Sequence, residues 1–141
     1  MRRNASAVWK GGFKDGKGTI STDSGVLSKT PYSFKARFEN HTGTNPEELI
    51  AAAHAGCFTM ALSGNWVRVG LTAERIETQA TVILEKTDTG FAITAVHLDV
   101  TAKVPGATKQ AFATAANNAK SRCPVSKVLN ARITMEANLE D

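Results

Sequence analysis

The sequence predicts an α+β fold, a single domain over residues 1–141 with antiparallel sheets around one long central helix. Three observations predict it. Segments of alternating polarity come in blocks, not in strict alternation with helical segments, which is the pattern of α+β chains. Residues 44–62 are apolar nearly all round the helical turn, as a helix in the middle of a core must be. A hydrophobic content of 42% in 141 residues suffices for a core of ordinary domain size.

In chain order, residues 5–9 read as a short strand, and Gly11-Gly12 and Asp15-Gly16 as turns. Residues 17–22 and 32–38 read as further strands around a loop holding Ser24-Gly25 and Pro31. In the second of these, Tyr32, Phe34, Ala36 and Phe38 share one face and Ser33, Lys35, Arg37 and Glu39 the other. The central helix is expected over 46–69. Asn45 is its cap, Pro46 its first residue, and Glu47 and Glu48 lie near the positive end of its dipole. Gly70 is its stop. Within it, Gly56 and Gly64 each cost about 1 kcal/mol relative to alanine. Close helix packing, or room beside Cys57, would account for them.

Residues 76–86 and 91–104 read as a hairpin joined at Thr87-Asp88-Thr89-Gly90. Val96, Leu98 and Val100 alternate there with Ala95, His97, Asp99 and Thr101, and His97 reads as an exposed strand residue without a role. Pro105-Gly106 breaks the chain, and Thr108 caps an alanine-rich helix over 109–121. A short helix begins at Pro124. A last strand over 131–139 sets Ile133, Met135, Ala137 and Leu139 against Arg132, Thr134, Glu136 and Asn138.

The net charge of +4 is scattered, with Arg2-Arg3 the densest basic pair. No clustered basic face is present of the kind that nucleic acid requires. The central helix is too short and interrupted for a membrane span, which needs about 20 apolar residues. The N-terminus lacks the apolar run of an export signal, so a cytoplasmic setting is expected. There a disulfide is more often transient and chemical than structural.

Chemistry rests on Cys57 and Cys123, 66 positions apart and in no Cys-x-x-Cys pair. That argues against a thioredoxin-like exchange motif and a four-cysteine zinc site. Two inert core thiols, or a metal held by Cys57, Cys123 and His54, remain open from chemistry alone. Cys123 precedes Pro124 at a helix start, where backbone N–H groups favour a thiolate. Cys57 lies mid-helix, where apolar surroundings raise its pKa unless a cation reaches it. Local electrostatics alone therefore favour Cys123 as the attacking thiol.

Residues 44–62 (TNPEELIAAAHAGCFTMAL) and 123–129 (CPVSKVL) closely resemble the OsmC/Ohr family of thiol peroxidases. Residues 19–27 (TISTDSGVL) and 31–38 (PYSFKARF) also match and favour the osmotically inducible OsmC branch over Ohr. The resemblance covers essentially the whole chain. It implies an OsmC-like fold and a swapped, intertwined homodimer with active sites at the subunit interface. It implies Cys57 as peroxidatic thiolate and Cys123 as resolving thiol, reversing the electrostatic order. Arg37 matches the arginine that holds the reactive sulfur, and Glu47 the glutamate that orients it. No cofactor and no metal is implied.

Glu47 and Cys57 are ten residues apart, about 15 Å of rise on a straight helix. One guanidinium does not bridge that span. Either the helix bends, or the Glu47 that matters belongs to a partner subunit. The implied cycle reduces an organic hydroperoxide to an alcohol and leaves a sulfenic acid on Cys57. Cys123 condenses with it to a disulfide, and an external dithiol restores both thiols. Phe58, Met60 and Leu62 serve equally as an apolar site for an organic substrate or as core. The competing class is a non-catalytic, stress-induced binding protein with two core thiols.

Overall fold

Gly18 shows how the first sheet is built. The computed structural model describes residues 1–141, in two compact units, Met1–Leu49 and Ile50–Asp141. In the first unit β1 (Ala5–Lys10), β2 (Lys17–Thr22) and β3 (Thr30–Tyr32) form an antiparallel sheet in that order. Gly18 pairs with Trp9 on one side and Tyr32 on the other. The two rings meet over it, with centroids 5.4 Å apart. A Cβ on Gly18 would stand 2.7 Å from the Trp9 ring, so a side chain there would part the rings.

The strand expected over 32–38 is corrected. The chain leaves the sheet after Tyr32 and forms a short helix, α1 (Phe34–Phe38). Ser33 caps it, its Oγ accepting the Ala36 N–H at 3.0 Å. The aromatic alternation that looks like a strand face also places Phe34 and Phe38 four apart on a helix. Their rings lie 4.8 Å apart. A cap plus one tilted ring pair decides between two periodicities that five residues cannot separate.

The central helix, α2 (Pro46–Arg68), starts as the sequence predicts. The Asn45 side-chain oxygen accepts the Glu48 N–H at 2.8 Å, and Gly70 follows the helix with φ +75°. The boundary between the units falls inside α2.

In the second unit β4 (Arg75–Thr87) and β5 (Gly90–Lys103) form the expected hairpin, with a register shift at Ile83/Leu84. Next come α3 (Lys109–Arg122), capped by Thr108, the short α4 (Pro124–Val128) and β6 (Arg132–Leu139). The last strand departs from the all-antiparallel expectation, since β6 pairs with β5 in parallel. The α3–α4 crossover returns the chain to the same end of the sheet, as a parallel pair requires.

One face of β5, Val96, Leu98, Val100 and Ala102, is buried. With it pack Phe58, Leu62 and Trp66 of α2, and Phe112, Ala115 and Ala119 of α3. Trp66 and Phe112 stack with ring planes 2° apart. The expectation that α2 is covered on nearly every side is corrected for the single chain. Its buried residues, His54, Phe58, Leu62 and Trp66, fall four apart along one stripe. Elsewhere on the helix Met60 is 78% and Val67 70% exposed. Gly56 and Gly64 face open space, so no neighbour in the chain packs against either. No helix is long and apolar enough to cross a membrane.

Candidate functional site

Two constellations carry chemistry, one in each unit. In the first, α1 presents Arg37 and the first turn of α2 presents Glu47. The Arg37 Nε donates to both carboxylate oxygens of Glu47, at 3.1 and 3.2 Å, and Nη2 donates to Oε1 at 2.7 Å. This is the forked, charge-assisted pairing for which a planar guanidinium is suited. The Glu47 side chain is 12% exposed and Arg37 36%, so the guanidinium keeps an open side. Its carbon also lies 5.2 Å from the Phe38 ring centroid.

Arg37 borders a pocket of about 230 Å³ lined by Trp9, Phe13, Tyr32, Phe34 and Phe38. Three of the chain's six phenylalanines, one of its two tryptophans and its only tyrosine meet there. Sequence reasoning did not find this pocket, because it rests on the helical turn of residues 34–38. The residues it offered as a possible apolar site lie otherwise: Phe58 and Leu62 are wholly buried in the second unit's core, and Met60 is exposed.

The second constellation joins Cys57, in the fourth turn of α2, to Cys123, at the junction of α3 and α4. Both are free thiols; Cys123 is fully buried and Cys57 half-buried. The 65 intervening residues bring them back together, side chain hydrogen-bonded to side chain. Burial pushes the Cys57 thiol above its ordinary pKa, and the Cys123 side chain adds to the rise. The backbone N–H of Val125 donates to the Cys57 sulfur and opposes it. The second unit supplies no cation to this thiol.

That donor bears on the order of the two cysteines. The N–H groups at the start of α4 looked from sequence like an asset of Cys123. Pro124 has no N–H, and Cys123 makes no side-chain cap bond. The Val125 N–H points to Cys57 instead. The helix start thus serves the more accessible sulfur.

Beside the thiols lies a pair that the sequence did not single out. The Nε2 of His54 meets the Ser126 Oγ at 2.7 Å in the interior. Burial lowers the His54 pKa, which keeps the ring neutral near pH 7. His97, read as exposed and without a role, is half-buried, with Nδ1 at 2.6 Å from the Thr134 hydroxyl and Nε2 at 3.3 Å from Asp99.

Comparison with known proteins gives a consistent result. Residues 39–138 match the family model described as OsmC-like protein. The chain is 49% identical over 140 residues to Peroxiredoxin OsmC of Escherichia coli (strain K12), covering 99% of this chain and 98% of that protein. It is 33% identical over 125 residues to the organic hydroperoxide resistance protein OhrB of Bacillus subtilis (strain 168), covering 87% and 89% respectively. In fold it matches an OsmC-like protein of unknown function from Vibrio cholerae, with TM-score 0.78 at 21% identity over 98% of this chain and 99% of that one.

Proposed function

Because the chain belongs to the OsmC family, we propose that it is a cysteine peroxidase that reduces organic hydroperoxides to alcohols. The observation that carries the reading is the hydrogen-bonded contact of two thiols that lie 66 positions apart in sequence. Cys57 is the half-buried, attackable sulfur with a helix-start N–H on it. Cys123 is the fully buried partner already within reach.

In the first step the Cys57 thiolate attacks the distal peroxide oxygen. The O–O bond breaks, the alcohol leaves as it takes a proton, and Cys57 carries a sulfenic acid. Cys123 then attacks the Cys57 sulfur and expels the hydroxyl as water, giving a disulfide. An external dithiol returns both residues to thiols by exchange.

Within its own unit the Cys57 thiol is held protonated by burial, so the thiolate needs a cation. Arg37 is that cation, with Glu47 fixing its fork and leaving one side of the guanidinium free. The same charge steadies the oxygen as the O–O bond lengthens. Glu47 and Cys57 are ten positions apart on one uninterrupted helix, and a helix rises about 1.5 Å per residue. The Arg37–Glu47 pair therefore acts on Cys57 of the partner subunit, in a homodimer. The exposed Met60 and Val67, with bare Gly56 and Gly64 on the same helix, support a second copy seated on α2. The aromatic pocket beside Arg37 receives the organic group of the substrate.

Thiol titration before and after one equivalent of cumene hydroperoxide tests the reading. Loss of two thiols together, with an internal Cys57–Cys123 disulfide, is expected. Cys57→Ser abolishes peroxide consumption, and Cys123→Ser gives one turnover and a trapped sulfenic acid. Thiols unchanged by the peroxide would overturn it.

A further inference from the structure

The geometry points to His54 and Ser126 as positioning residues that hold Cys123 on Cys57 during disulfide formation. This rests on the peroxidase reading above and adds to it a step-specific role for two residues outside the reacting atoms.

His54 lies three residues before Cys57 on α2, and Ser126 three residues after Cys123, on α4. Besides the Val125 N–H on Cys57, the two elements are thus joined by two side-chain rungs: sulfur to sulfur at one level, imidazole to hydroxyl at the next. The second rung is buried, with His54 0% and Ser126 9% exposed, and the bond is 2.7 Å. Ser126 is the only buried residue of α4; Lys127 and Val128 face solvent. The Ser126 hydroxyl ties the inner side of the five-residue helix to α2, beside the Val125 N–H that donates to Cys57.

His54 is an expensive residue to keep there. Its Nδ1 is buried and has no hydrogen-bond partner. The neighbouring positions of the same stripe, Phe58 and Leu62, are filled by apolar side chains that carry no such penalty. An apolar residue at position 54 would fill the space and lose only the link to Ser126. A half-satisfied buried polar group is the kind of local cost that marks a functional constraint.

The first chemical step shows where the link acts. When the Cys57 sulfur takes up oxygen, its hydrogen bond with the Cys123 thiol is disrupted, and the sulfur rung no longer holds the two elements together. The His54–Ser126 rung contains neither sulfur and persists through that step. It keeps Cys123 in line while its sulfur bonds to Cys57, the S–O bond breaks, and the Cys123 proton leaves with the hydroxyl as water. No further reactant enters. Without the rung, the sulfenic acid lives longer, and a second peroxide molecule oxidises it to the sulfinic acid.

The test uses the full-length protein and cumene hydroperoxide over a range of concentrations. Intact mass gives the partition of Cys57 between disulfide and sulfinic acid. Ser126→Ala is expected to lower the ratio of resolution to over-oxidation about tenfold, the effect of one lost hydrogen bond. Ser126→Thr, which keeps a hydroxyl, restores it. If Ser126→Ala does not fold, His54→Leu and His54→Gln replace it: the leucine shifts the partition and the glutamine, with a nitrogen at the same reach, does not. A wild-type partition in Ser126→Ala or His54→Leu overturns the proposal. So does a threonine or glutamine variant that fails to restore it while folded. A wild-type protein that never forms a sulfenic acid would instead sink the peroxidase reading, and dimedone trapping separates the two results.

Discussion

Oxidation should stabilise this protein by an amount set by the loop that it closes. A bond between Cys57 and Cys123 ties off 66 positions of chain. In the chain-entropy account, a loop of that length takes about 4 kcal/mol of freedom from the unfolded state. The folded state gives little of it back, because the two thiols are already hydrogen-bonded in the reduced protein. With a urea dependence of about 2 kcal/mol per molar, the unfolding midpoint should rise by about 2 M on oxidation. By the thermodynamic cycle, the same energy makes the disulfide about 90 mV harder to reduce in the fold than in the unfolded chain. That favours a dithiol reductant over a monothiol. The assay is urea unfolding of the reduced and peroxide-treated forms at one protein concentration, since subunit association also moves the midpoint. Cys57→Ser and Cys123→Ser should show no shift. Equal midpoints for the two wild-type forms would refute the reasoning, because the thiols would then not have closed the loop.

Arg37→Met should lower peroxidase kcat/KM by about 10²–10³, the scale for removing one donor to a developing oxyanion, and full activity would exclude Arg37 from the chemistry. Glu47→Gln, which keeps a single hydrogen-bond acceptor for the guanidinium, should cost about tenfold. The lowered pKa of His54 has a definite sign: below about pH 6.5 the unfolded chain takes up a proton that the fold refuses. Stability should therefore fall as pH drops, by up to about 1.4 kcal/mol per pH unit, and level off below the folded pKa. His54→Gln should remove that slope; parallel slopes for the two proteins would contradict it. Met60→Lys, which sets a charge on the exposed face of α2, should shift the sedimentation coefficient toward that of a monomer, and an unchanged value would place the interface elsewhere.

Long, strongly patterned elements were legible from the sequence. The cap at Asn45, the stop at Gly70 and the alternation of Val96, Leu98 and Val100 each have one physical reading, and the structure follows them. Residues 34–38 have two readings, and a serine hydroxyl decides between them. The direction of the last strand depends on where the α3–α4 crossover delivers the chain, which the strand's own alternation does not encode. At the site, the roles proposed for Cys57, Cys123, Arg37 and Glu47 were available only through resemblance. The partners were not: that Glu47 forks with Arg37 fits the helix-start position of the glutamate, but that the Val125 N–H points to Cys57 does not follow from any local pattern. The His54–Ser126 bond had one weak signal, a histidine in an apolar helix three residues from a cysteine, and its partner lies 72 positions away.

The same features give a reason for dividing an active site of the proposed kind between chains. A thiol kept in an apolar setting stays protonated and is a poor nucleophile until a cation reaches it. Here the second unit raises the Cys57 pKa by burial and offsets it with a single backbone donor. The forked Arg37–Glu47 pair is complete in itself and needs nothing from the thiol to hold its shape. On the proposed reading, a preformed cation brought to a preformed thiol pair by dimerisation makes reactivity a property of the assembled protein. The Cys57 pKa should therefore fall as protein concentration carries the chain from monomer to dimer. The rate of iodoacetamide alkylation of Cys57 against pH, measured at both ends of that range, reads the change directly. A titration midpoint independent of concentration would mean that the positive charge is supplied within one chain.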